Sequence, residues 1–439
     1  MFQAQLRTES LSCIAAVSLL CACGDQGRPA GSGDDGVGSL STFGDTLDET
    51  ADESGDGDPT GDGDGDPSGD GDGDPCQGSG GDVEGFIWIA NSGEGTVSKI
   101  DTVSGVELGR YIVRPDSGGS PSRTTVNNRG DVAVANRLGG VTMVRANIED
   151  CVDQNGTPGI QTSTGPADVL PWGEDDCVGW YTELPHNDNR PVAWTSGYPD
   201  PDTCQYFDRD VWTGWSDTAP GTTTVALLDG NTGGIIQQVP LPELPEAWPG
   251  WFGFYGGAVD KDDNFWVSQL QGGLLVKVDR SDFTVTTYPV PEEGGYGMTV
   301  TPDGYVWLCG RYTHRLEPNS GTWTSVNHFG EPDSIHTGGC MGDGQNLLWR
   351  GAYNQLMALD TQTLAVVKQY PVTQPEDDFI WGVAIDFDGF VWAVPRNGSR
   401  AYKVSPDTGA VALTVEGLVA AYTYSDMTGF ALSGVGAIP

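Results

Sequence analysis

Three regimes of hydrophobic patterning follow one another along the chain. An unbroken apolar run, LSCIAAVSLLCA, occupies residues 11–22. Residues 24–82 carry almost no large apolar side chain. From residue 83 onward, short stretches rich in aromatic and β-branched residues are separated by Asp/Gly turns, the pattern of β-strands joined by hairpins. This pattern recurs at a longer period. GYGMTVTPDGYVWLCGR (295–311) has counterparts in FYGGAVDKDDNFWVSQL (254–270), IWGVAIDFDGFVWAVPR (380–396) and IHTGGCMGDGQNLLWRGAY (335–353). Each reads as a strand, a turn and a second strand holding a Trp. A second hairpin follows, as in LLVKVDRSDFTVTTYPV and LMALDTQTLAVVKQYPV.

Each unit therefore has four strands, the second marked by Trp88, Ala133, Trp212, Trp266, Trp307, Trp349 or Trp392. The last four markers lie 41, 42 and 43 residues apart. Four strands at a period in the low forties predict propeller blades. The expected fold is all-β, a seven-bladed β-propeller over residues 83–439, with six or eight blades as the alternatives. Gaps of 79 and 54 residues interrupt the period and contain a region rich in Pro, Gly and Cys. They predict insertions at about 147–180 and 197–221 that project from one face. The first unit lacks an opening strand, and YSDMTGFALSGV (424–435) lacks a following Trp strand. The N- and C-terminal strands are thus expected to share one blade and leave no long exposed edge.

The two segments before the propeller set the expected compartment. The apolar run after Arg7 is too short to span a bilayer and has the length of a signal-peptide core. It ends in Leu20-Cys21-Ala22-Cys23, which resembles a bacterial lipobox. The resemblance implies a signal peptide over 1–22, lipidation of Cys23 and a location in the cell envelope, at the outer membrane or cell surface. Residues 24–82 hold 17 acids and one base, and residues 54–75 read SGDGDPTGDGDGDPSGDGDGDP. Such a sequence cannot bury enough apolar surface to offset its ordering entropy, so 23–82 is expected to be a disordered tether.

Charge narrows the partners. The formal net charge is -41, and residues 83–439 keep 44 acids against 19 bases. That field repels a phosphate backbone, which argues against nucleic acid. A monomer is expected, joined to the membrane through its lipid. Removing Cys13 and Cys21 with the signal, and Cys23 with the lipid, leaves Cys76, Cys151, Cys177, Cys204, Cys309 and Cys340. An even number outside the cytoplasm suggests disulfides. The favoured pairs are Cys151 with Cys177, which bracket one insertion, and Cys309 with Cys340, in consecutive repeats.

The repeat GYGMTVTPDGYVW resembles that of virginiamycin B lyase, a seven-bladed propeller family that linearises streptogramin antibiotics. The acidic Gly-Asp linker resembles those of myxobacterial lipoproteins. The lyase resemblance implies a metal-assisted elimination carried by His residues at the heads of the innermost strands, with Glu residues nearby, one of them four positions after a marker Trp. Here the heads, eleven residues before the marker, are Tyr255, Tyr296 and Trp381, with His336 at the equivalent place of a longer hairpin. Four positions after the markers stand Ser92, Arg137, Ser216, Leu270, Arg311, Tyr353 and Arg396, and none is Glu.

Because a ring of blades gathers one column at its axis, Arg123, Tyr255, Tyr296, His336, Trp381 and Asp426 are expected to converge at the channel mouth, with Arg311 and Arg396 near the same face. Aromatics with a few polar groups make a platform for a small-molecule or protein ligand, and the arginines favour an anionic one. The first reading is therefore a cell-envelope binding lipoprotein. The alternative is a metal-dependent lyase or lactone hydrolase, in which His336 would be the catalytic residue. A divalent cation, calcium or magnesium, is a further expectation. Asp153, Asn155 and Thr157 stand at positions one, three and five of a partial calcium loop, which Glu174, Asp175 and Asp176 could complete.

The lipidation reading is tested by Cys23→Ser. The variant should leave the membrane fraction for the soluble one and lose the mass of its acyl groups on intact-mass spectrometry; a membrane-bound variant of unchanged mass would refute the anchor.

Overall fold

A computed structural model describes residues 85–184, 188–199, 206–216, 221–244, 253–270, 273–291, 295–329, 338–424 and 426–435. Their strands form seven blades, as the repeat predicts. Blades 2 to 6 are separate four-stranded antiparallel sheets. Their innermost strands are Pro121–Val126, Val192–Trp194, Phe254–Val259, Gly297–Val300 and Cys340–Gly342. Blade 7 runs Ile380–Ile385, Val391–Pro395, Gly398–Val404 and Val411–Ala421. Its long last strand continues to Asn91 of blade 1 (Phe86–Asn91, Thr96–Asp101 and Glu107–Ile112), joining both blades into one seven-stranded sheet.

Blade 1 receives its innermost strand from the far end of the described chain. The Tyr422 amide donates to the Ala90 carbonyl at 3.1 Å, and the Trp88 amide to the Met427 carbonyl at 2.9 Å. Tyr422 and Met427 therefore meet Phe86–Asn91 in antiparallel order, and the ring closes as expected. The Thr428 hydroxyl then donates to the Ile385 carbonyl of blade 7 at 2.6 Å. Below it, the helix Phe430–Val435 buries Leu432 and Val435 against the inner strands. The void left among Thr125, Trp194, Val259, Met298, Asp426 and Leu432 is about 30 Å³, room for about one water.

One polar device recurs at the hairpins between first and second strands. Asp260, Thr301, Asp343 and Asp386 each lie six residues before a marker Trp and accept its indole N–H, at 2.8, 3.0, 3.4 and 2.9 Å. The other oxygen of Asp260, Asp343 and Asp386 accepts backbone N–H groups of its own turn. A single carboxylate thus shapes the turn and satisfies the buried Trp that the turn sets in place. Trp88 and Trp212 instead donate to carbonyls of the next blade, Gly130 and Asp263. Blade 2, marked by Ala133, reaches blade 3 through Trp180 on its outer strand, whose indole donates to the Gly230 carbonyl.

Both favoured disulfides are present. Cys151–Cys177 has a Cα separation of 4.6 Å, and Cys309–Cys340 of 6.1 Å. The first closes an insertion between the third and fourth strands of blade 2, residues 145–177. The second ties blade 5 to blade 6. Cys76 and Cys204 lie outside the described residues. The second insertion falls between the first two strands of blade 3 and pairs Tyr198–Pro199 with Tyr206–Phe207. Strand alternation puts both insertions on the face opposite the heads of the inner strands. The blade 3 insertion docks on blade 4, where the Asp263 carboxylate accepts the amides of Ser196 and Gly197 at 2.6 and 3.2 Å, and Arg280 pairs with Asp210 at 2.7 Å.

Two expectations follow. Asp426 accepts the amides of Gly429 and Leu432 at 2.8 and 2.9 Å from inside the ring. Asp426→Ala orphans these donors and should cost about 2 kcal/mol, read as a lower urea midpoint at unchanged slope. Burial raises the Asp263 carboxyl from 3.8 to about 6. A folded-state value above the unfolded one means that the native chain binds the extra proton. The charged form is then a cost above pH 6 that is relieved as pH falls from 6 toward 4. Asp263→Asn should flatten this part of the stability profile in thermal melts between pH 7 and 4.5.

Candidate functional site

At the heads of the inner strands the channel is filled by aromatic rings. Tyr255, Tyr296 and Trp381 come together as their shared column predicts. Ring centroids are 4.7 Å apart for Tyr255 and Tyr296, and 4.5 Å for Tyr296 and Trp381. The closing segment adds Tyr422 and Tyr424, at 5.2 Å from Trp381 and 4.8 Å from Tyr296 respectively. All five are buried. The phenol oxygens of Tyr255 and Tyr422 are 2.6 Å apart, and Tyr296 shares the same Tyr422 oxygen. Burial and the neighbouring phenols push Tyr255 and Tyr296 well above the ordinary range, and Tyr422 up to about 12. The three phenols stay neutral at physiological pH.

Guanidinium groups cover these rings. Arg123 lies 3.3 Å from the Tyr424 centroid and 5.1 Å from that of Tyr255. Arg190 stands 5.0 Å from Tyr255, Arg137 4.3 Å from Tyr422, and Arg396 4.2 Å from Trp381. Arg190 pairs with Asp188 at 3.4 Å and Arg396 with Asp378 at 2.7 Å. Burial raises the Asp188 carboxyl, opposed by Arg190 and Arg137. The arrangement packs buried aromatic rings, phenol and indole groups and fixed positive charge at one end of the channel, in a propeller that is acidic elsewhere.

The other candidates fall differently. Arg311 is on the same face but stands over Tyr312, at 5.6 Å, rather than over the cluster. Arg350, a neighbour the sequence did not single out, donates to the Gly310 carbonyl and to the Thr313 hydroxyl. His336 lies outside the described residues. Asp426 does not join the mouth. It sits at the opposite end of the closing segment from Tyr422, where its carboxylate holds the turn into the final helix. The column argument failed there because this strand enters blade 1 from the other end of the sequence.

The candidate cation loop is organised around a carboxylate. Asp176 accepts the amides of Gln154 and Gln161 at 2.8 and 2.9 Å, which hold its carboxyl below the ordinary value. Asn155 accepts the Thr157 amide and donates to the Glu174 carbonyl. Asp153 is exposed. Among the described residues, no group of three or more His, Cys, Asp or Glu is placed to hold a metal ion.

Arg137 stood in the column after the markers without being singled out, and Arg190, Tyr422 and Tyr424 were missed. Arg190 heads the inner strand of blade 3, but the insertion after that strand pushes it far from its marker, Trp212. Tyr422 and Tyr424 belong to a strand with no marker of its own.

No family model and no curated protein matches the sequence. Solved structures do match. A protein from Lactobacillus plantarum is 14% identical over 77% of this chain and 98% of its own, with a TM-score of 0.51. The WD40 repeats of RRP9 are 9% identical over 70% and 83%, also at 0.51. A streptogramin B lyase is 15% identical over 71% and 87%, at 0.49. What this chain shares with the first two is the fold, a β-propeller.

Proposed function

We propose that the chain is a lipid-anchored protein of the cell envelope whose propeller binds a ligand or partner at the head of its central channel. The observation that carries this reading is the joint placement of five aromatic rings and four arginines at one end of the channel, while the final helix fills the other. Binding fits these groups better than turnover. The phenols are held neutral, and Asp188 and Asp378, the two carboxylates paired with the covering arginines, are each tied to a guanidinium. His328, beside Arg350, is pushed down to about 4 by burial and by that charge, which makes it a weak base. The Cys23 lipid and the acidic tether would hold the mouth clear of the bilayer, with roughly 45 Å of random-coil span for some 60 residues.

Mature chain extracted from membranes in mild detergent should carry a bound species on native mass spectrometry. Tyr296→Ala with Trp381→Ala should lose it at least tenfold. Because truncating packed aromatics costs about 3–5 kcal/mol each, Tyr296→Phe with Trp381→Phe serves as the milder pair, keeping the ring packing while removing one phenol and one indole donor. Wild-type chain of bare mass, indistinguishable from both variants, would leave a scaffold role only.

A further inference from the structure

The site just described has a chemical preference that its rings alone do not reveal. A guanidinium stacked on an aromatic face uses the flat side of the group and leaves its N–H edge for an acceptor. Arg137 and Arg396 show this arrangement on neighbouring rings. Arg137 covers Tyr422, Arg396 covers Trp381, and the two rings are 5.2 Å apart. Among the described residues, the guanidinium of Arg137 hydrogen-bonds only through Nε, to the Ser120 carbonyl at 3.1 Å, and that of Arg396 only through Nε, to Asp378. Both side chains are half-buried, so the four Nη groups remain for something outside the fold.

Two further donors belong to the same cluster. Trp381 Nε1 and the Tyr424 hydroxyl are buried and make no hydrogen bond among the described residues. Trp381 is 8% exposed and Tyr424 fully buried. A buried donor without an acceptor costs about 1–3 kcal/mol. Among the described residues these donors lack acceptors, beside the open guanidinium edges of Arg137 and Arg396. An anion would answer those edges, and a cation would be repelled by them.

We propose that the mouth is an oxyanion site, which takes a carboxylate- or phosphate-bearing ligand between the Arg137 and Arg396 edges. This rests on the binding reading above and narrows its ligand class. Charge-assisted, two-pronged contacts are the strong form of such recognition, and Lys cannot reproduce them fully.

Titration calorimetry of the full chain in detergent, with citrate and separately with inorganic phosphate as probes, tests the class. At least one probe should bind, and Arg137→Gln with Arg396→Gln should weaken it at least tenfold. The Arg→Lys pair should recover part of that loss, and Lys261→Gln, an exposed charge on the opposite face, should change nothing. A stronger response to citrate would point to carboxylate ligands, and one to phosphate would point to phosphoryl groups; either supports the site. Native mass spectrometry of the same chain separates the two claims. A bound species that neither probe displaces, with affinity unmoved by the Gln pair, overturns the oxyanion class and leaves the binding reading standing. No bound species and no probe binding overturns both.

Discussion

The ring depends on one short antiparallel pairing, that of Tyr422 and Met427 on Phe86–Asn91. Six blades are complete in their own stretch of sequence; blade 1 is not. Without the Tyr422–Ala90 and Trp88–Met427 hydrogen bonds, blade 1 would present a bare edge inside the channel, and blade 7 would lose the neighbour against which Gly382 packs. An open seven-blade sheet array has two edges to manage, whereas a closed one has none. The same few residues then serve twice more. Tyr422 and Tyr424 complete the aromatic cluster, and Asp426 fixes the turn that carries the helix into the other end of the channel. Closure, mouth and floor are consequences of one strand.

The mouth shows a tension between packing and charge. Five buried rings are favourable through apolar burial and through tilted and stacked contacts. Four arginines on top of them are unfavourable unless each finds compensation, since removing a charge from water is costly. The structure compensates through ring faces and through Asp188 and Asp378. In Arg123 burial lowers the guanidinium pKa, yet arginine remains protonated. An acidic protein that concentrates permanent positive charge at one point has placed it where ring quadrupoles make it tolerable.

Much of this was legible in the residues. The Trp markers and their spacing carry the propeller, because blades 4 to 7 each bury their Trp behind the same turn; the six-residue interval from Asp260 to Trp266 and from Asp386 to Trp392 is the trace of one hydrogen bond. The column rule brought Tyr255, Tyr296 and Trp381 together for the same reason. It failed wherever register along the sequence and register in space part company. The insertion after Val192–Trp194 hid Arg190, and the returning strand hid Tyr422 and misplaced Asp426. The partial match of residues 153–160 to a cation loop has a second physical reading. Asn155 and Asp176 do organise the loop, but by accepting amides, a job that the same oxygen-rich residue types perform without any ion.

The long return of the closing strand also sets an order of events. Asn91 and Val419, joined at the seam by a hydrogen bond from the Val419 amide, are 328 positions apart. No local search can find that contact early, so blades 2 to 7 can each form hairpins while the seam waits for the last of the described residues to be made. A copy that stops short of residue 411 holds nearly every blade yet has neither seam nor filled channel. The seam therefore works as a test of completeness: a protease meets an open edge on an unfinished copy and a sealed ring on a finished one.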